Sequence, residues 1–121
     1  MGLDMYVYTT EEKFETEVDF KCDGDNELYY WRKHPNLHGW MEKLYRAKGG
    51  SEDSFNCVNL ALTLKDIYAL EYAVRKKKLP ETQGFFFGQS YDTDRPRDLE
   101  FIAKAHDAIQ EGETVFYFSS W

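Results

Sequence analysis

The chain has 121 residues, 42% of them hydrophobic and 31% charged, with a formal net charge of −7. That size and balance exclude a disordered chain and a disulfide-stapled miniprotein, and they predict one domain over residues 1–121 with its own core. All of the excess charge lies in residues 1–30, where nine acids face two bases, which argues against this segment as a binder of phosphate backbones.

Leu3, Met5 and Val7 alternate with Asp4, Tyr6 and Tyr8, which predicts a strand over 2–9 with one buried face. Residues 15–31 read as two extended pieces around the turn-forming Asp23-Gly24-Asp25-Asn26, so a hairpin is expected there. From Pro35 the period changes: Leu37, Trp40, Met41, Leu44 and Tyr45 share one face of a helix that Gly49-Gly50 stops. Cys57 to Leu62 reads as a short strand. Thr63 then N-caps a second helix, with Asp66 as capping-box partner and Leu64, Ile67, Leu70 and Val74 on its apolar face. Arg75 to Lys78 suit the negative end of that helix.

Leu79-Pro80 breaks the chain, and the glycine-bracketed aromatic run Gly84 to Gly88 is expected to form a buried strand. Asp92, Asp94 and Pro96 start a third helix, marked by Leu99, Ile102, Ala103, His106 and Ile109 and ending near Gly112. Thr114 to Ser119 closes the chain as a last strand. The sum is an α+β fold, a mixed and mostly antiparallel sheet with about three helices.

Two cysteines, Cys22 and Cys57, and a start without a basic, apolar leader point to a reducing cytoplasm. Tyr6 stands where a myristoylation signal needs Ser or Thr, and no apolar run reaches the roughly 20 residues that span a bilayer. His34 and His38 have the helical spacing of two metal ligands, with His106, Cys22 and Cys57 as further candidates. Pro35 takes His34 out of regular helix and no carboxylate lies between the pair, so no metal site is expected.

Asp23, Asp25 and Glu27 alternate like calcium ligands, but Leu28 occupies the glycine position of such a loop and His34 its final glutamate position. Cys57 with His38 is the one nucleophile and base pairing worth naming, against a buried cysteine flanked by Phe55 and Val58. No nucleotide-binding glycine pattern or nucleophile elbow occurs, and no cofactor is expected. Tyr29-Tyr30-Trp31-Arg32-Lys33-His34 mixes stacking rings with cations as ligand surfaces do, or else turns its rings inward and pairs its cations with the acids just before it.

GLDMY, YWRKHPNLHGW, FNC, LPETQGFFFG followed by SYD, and the terminal SSW together resemble a family of small uncharacterised proteins from tailed bacteriophages and prophages, over nearly the whole chain. The resemblance implies a phage context and no mechanism. The residues it carries over are Asp4, Tyr30, Trp31, Arg32, Lys33, His38, Trp40, Asn56, Cys57, Gly84, Phe86, Gly88 and Asp92, while His34 replaces the family's small residue.

The leading expectation is a phage accessory protein in the host cytoplasm that binds a basic host protein, as an acidic, anti-CRISPR-like inhibitor of a nucleic-acid-handling defence complex would. Its contacts would be Glu11, Glu12, Glu15, Glu17, Asp19, Asp23 and Asp25, with no direct nucleic acid and no membrane. The alternative is a small enzyme or ligand-binding protein with a polar site drawn from Tyr30, Arg32, Lys33, His38, Asn56, Cys57 and Asp92. A non-enzyme is the preferred reading, and self-association through exposed rings is a third possibility.

Overall fold

A computed structural model describes residues 2–84 and 86–121. In chain order they form β1 (Asp4–Thr10), β2 (Asn26–Arg32), α1 (Pro35–Ala47), β3 (Leu60–Leu62), α2 (Leu64–Arg75), α3 (Arg95–Gln110) and β4 (Thr114–Ser120). A short 3-10 turn, Asp92–Asp94, leads into α3. The four strands make one sheet in the order β2-β1-β4-β3, and every pairing is antiparallel.

Register follows from the alternation along each strand. Met5 lies opposite Trp31 and Ser119, Val7 opposite Tyr29 and Tyr117, and Leu60 and Leu62 opposite Tyr117 and Val115. A one-residue slip would turn this whole set outward, so burial of one face fixes the pairing. Onto that face pack Leu37, Met41 and Tyr45 of α1, Ile67, Leu70 and Val74 of α2, and Phe101, Ile102 and Ala105 of α3, in one continuous core.

Local signals set the helix ends. Thr63 accepts from Asp66 N–H while the Asp66 carboxylate accepts from Thr63 N–H, the reciprocal capping box that the sequence predicts. Gly39, inside α1, has Thr82 pressed against it where a Cβ would be, so the glycine lets residues 79–84 lie directly on the helix.

Two expected elements are absent among the described residues. The predicted hairpin does not form, because β2 pairs with β1 and residues 11–25 run as an irregular strap. Asp23-Gly24-Asp25-Asn26 runs into β2 with only a bend at Asp25, whose N–H is bonded to the Thr9 carbonyl, and the rings of β2 find their partners on β1. A single bridge, Val18 to Leu60, and the bond from Ala61 N–H to Glu17 C=O attach the strap to the edge at β3. The buried strand expected at Gly84 to Gly88 is a turn, closed from Phe87 N–H to Gly84 C=O at 3.2 Å. Phe87 is buried and Phe86, at φ 64°, is half exposed; Phe85 lies outside the described residues.

Candidate functional site

The three helices share one side of the sheet, and the other side carries rings. Tyr6 and Tyr8 alternate with Met5 and Val7 and project to this outer face. There Tyr6 lies opposite Tyr30 and Phe118, and Tyr8 opposite Phe116. The rings touch in a row: Tyr6 to Tyr8 stacked at 5.7 Å, Tyr6 to Tyr30 at 5.2 Å, and Tyr8 to Phe116 at 5.7 Å between centroids. Tyr6, Tyr8 and Phe118 are partly exposed and Tyr30 is exposed, whereas Phe116 is fully buried.

Phe116 is buried by the strap. Phe14 and Phe20 stack at 4.2 Å, and Phe20 meets Phe116 edge-on at 5.4 Å. The strap is fastened by Asn59, which donates to the Phe20 and Cys22 carbonyls, and by Lys48. Lys48 Nζ donates to Glu17 at 2.6 Å, to the Ala61 carbonyl at 2.7 Å, and to Asp66. The outer face is thus roofed over at the Phe116 end and open at the Tyr6 and Tyr30 end.

Negative charge borders the open end. Asp4 accepts from Tyr30 O–H at 2.6 Å and from Arg32 at 2.7 Å. The Tyr30 bond and the Arg32 guanidinium hold the Asp4 carboxyl below its usual range against the opposing effect of partial burial. Burial raises the Tyr6 and Tyr8 phenols, and Glu27 raises both further. Both rings therefore remain neutral, with a carboxylate beside them.

The seven acids expected to face a partner divide by what they do. Glu11, Glu12, Glu15 and Asp23 are exposed on the strap. Asp25 accepts from Glu11 N–H, Glu17 is paired with Lys48, and the half-buried Asp19 accepts from Tyr45 O–H at 2.6 Å.

The alternative polar set is not gathered in one place. Tyr30 and Arg32 lie on the outer face with Asp4, and Arg32 pairs with that residue instead of the acids just before it. Lys33 is exposed beyond the end of β2, at φ 58°. His38 is buried in the core, its Nδ1 hydrogen-bonded with the Tyr117 hydroxyl at 2.6 Å and its ring packed by Phe55, Phe87 and Trp121. Its burial lowers its pKa to about 4. Asn56 is tied to the backbone of Trp121, and Asp92 lies on the rim of a separate cleft. Cys57 is exposed, at φ 59°, in contrast to the buried cysteine its flanks suggest: Phe55 turns inward and the chain reverses before Leu60.

His34 and His38 diverge, the first into that cleft and the second into the core. The described residues hold no cluster of three or more His, Cys, Asp or Glu placed to bind a metal, and no helix long and apolar enough to cross a membrane. The ring row went unread at the level of sequence, although Tyr6 and Tyr8 at one parity and Met5 and Val7 at the other announce a strand with two apolar sides. No family model, curated protein or solved structure matches the chain.

Proposed function

We propose that this chain is a phage accessory protein that acts in the host cytoplasm by binding a basic host protein through the open side of its sheet. One observation carries the reading: a row of partly exposed rings, Tyr6, Tyr8, Tyr30 and Phe118, on the helix-free face, bordered by Asp4, Glu27 and the strap carboxylates. Tyrosines supply large contact areas at small entropic cost, and surrounding carboxylates select cations. A complex that handles nucleic acid has a basic groove, and carboxylates placed where phosphates would lie compete for it. Inhibition of a host defence complex of that kind is the activity this favours.

The test compares capture from host lysate at about 0.05 M and about 0.5 M salt by the wild type and by variants of the face. A partner bound at low salt should be released at high salt. It should be lost by Tyr6→Ser with Tyr8→Ser, and by E11K with E15K and D23K, but kept by Asp107→Lys on the helical side. Capture indifferent to salt and to both sets of substitutions overturns the reading. In the polar site around Arg32, His38, Cys57 and Asp92 the side chains part, His38 facing the core and Cys57 the solvent.

A further inference from the structure

Away from the ring face, three segments distant in sequence bring a serine, a histidine and a carboxylate into line. His34 lies between β2 and α1, Ser90 precedes the 3-10 turn, and Asp98 lies in the first turn of α3. Ser90 Oγ is 2.6 Å from His34 Nδ1, and His34 Nε2 is 2.9 Å from Asp98 Oδ2. The other Asp98 oxygen accepts from Trp31 Nε1–H at 3.1 Å.

The bond to Asp98 fixes the role of one ring nitrogen, and a neutral ring gives that of the other. A carboxylate only accepts, so the proton between His34 and Asp98 sits on Nε2, and in the neutral ring Nδ1 carries the lone pair. Ser90 O–H then donates to Nδ1, which gives nucleophile, base and orienting carboxylate in sequence. The two ring nitrogens exchange their more familiar places, and such a constellation is recognised by geometry and roles. His34 is 3% exposed and Asp98 1%, so the pair is held in the protein interior, while Ser90 keeps contact with solvent.

Space exists in front of the serine. A cavity of about 170 Å³ is lined by His34, Ser90 and Asp98 together with the cations Lys77 and Arg95 and the carboxylate Asp92. On the other side a groove of about 500 Å³ shares Ser90 and Asn36 with it. Asn36 N–H, in the first turn of α1, donates to Ser90 Oγ at 3.0 Å. A hydrogen bond that only staples two loops needs no hollow on either side of its oxygen. Asp94 also approaches His34 Nδ1, at 3.7 Å, and accepts from Tyr91 N–H.

We propose that Ser90 is a nucleophile, His34 its general base and Asp98 the residue that positions the base, in a site for a small ester. Ser90 Oγ bonds to the carbonyl carbon as its proton passes to His34 Nδ1, and the carbonyl π pair moves onto oxygen. Lys77 and Arg95, with Asn36 at the N-terminal end of α1, line the same cavity and are the groups available to stabilise that developing charge. When the tetrahedral carbon collapses, the bond to the leaving alcohol oxygen breaks and that oxygen takes the proton from Nδ1. Water then attacks the acyl-serine, giving a proton to the same nitrogen, and Ser90 recovers it as the acid departs. The 170 Å³ cavity suits an acyl group of a few heavy atoms, and the groove beyond Ser90 leaves room for the alcohol.

Diisopropyl fluorophosphate tests the nucleophile directly: Ser90 Oγ bonds to phosphorus, the phosphorus–fluorine bond breaks, and fluoride leaves. The folded chain should gain one adduct, mapped to Ser90 by peptide mass spectrometry and absent from Ser90→Ala. His34→Gln and Asp98→Asn should slow labelling by about 100-fold or more. Circular dichroism and the urea midpoint establish which variants fold. Labelling of folded Asp98→Asn or His34→Gln at the wild-type rate overturns the proposal, as does a folded wild-type chain that takes no label. If neither variant folds, wild type in about 8 M urea replaces them. Labelling of Ser90 that persists there is ordinary serine reactivity and overturns the proposal, while its disappearance supports it.

Discussion

Trp31 and Tyr30 are neighbours on one strand, yet they belong to different environments. Trp31 is fully buried, its indole N–H on Asp98 and its ring edge-on to Phe101 at 4.9 Å. Tyr30 is 36% exposed, with its hydroxyl on Asp4. The same holds along β1, where Met5 and Val7 have no exposure and Tyr6 and Tyr8 keep some. The helical side of the sheet uses its rings to hold the fold together. The outer side, apart from Phe116 under the strap, uses them to make a surface, and the difference is available to measurement.

The largest effect is expected from Trp31→Ala, which opens a cavity in the core and leaves Asp98 without one donor. It should lower stability by about 3–5 kcal/mol in urea unfolding, against about 1 kcal/mol or less for Tyr30→Ala. Equal losses would show that the outer face is as structural as the inner one.

On the inner face, acid should act through His38. His38 is neutral when folded, with a pKa of about 4, while in the unfolded chain it titrates near the ordinary 6.5. Between those values the unfolded chain holds more protons, so stability falls as pH drops from about 6.5 to about 4, by about 3 kcal/mol in total. His38→Gln should flatten that slope in denaturant midpoints measured across the window.

Gly39→Ala probes the helical layer that covers the inner face. In an ordinary helix the change would stabilise. Here the new methyl meets Thr82, and a loss of about 1–3 kcal/mol is expected. Thr82→Ala in the same background should recover most of it. Smallest is Arg32→Ala on the outer face, where the exposed pair with Asp4 should leave the urea midpoint unmoved.

Strand alternation, the apolar faces of α1 and α2 and the Thr63 and Asp66 capping box were legible in the sequence because each is a local pattern, whereas α3 buries Phe101, Ala105 and Ala108 beside Ile102 and leaves Ala103 exposed. Pairing was not legible. Asp23-Gly24-Asp25-Asn26 has turn-forming residues but runs into β2 with only a bend, and the rings of β2 match β1. Gly84 to Gly88 shows the same limit, since glycines around aromatic residues suit a turn as well as a strand. Acidic residues on the strap could be named from charge counts, whereas His34, Ser90 and Asp98 meet across separations of 56 and 64 residues and left no local trace. His38 read as a surface candidate because its spacing from His34 gave no sign that Tyr117, 79 residues on, would take its nitrogen.

β1 and β4 form the middle of the sheet, and their register joins Asp4 to Ser120 and Thr10 to Thr114. That pair closes a loop of almost the full chain, so the sheet has a high contact order and a slow search for its register. In a nascent chain emerging from the ribosome, β1 and β2, with apolar residues on both sides, precede β4. During that interval the tyrosine side and the methionine side are equally uncovered, and either can seed aggregation. Expression at low temperature, or with chaperones that hold unfolded chains, should therefore raise the folded yield more than any single substitution at the surface.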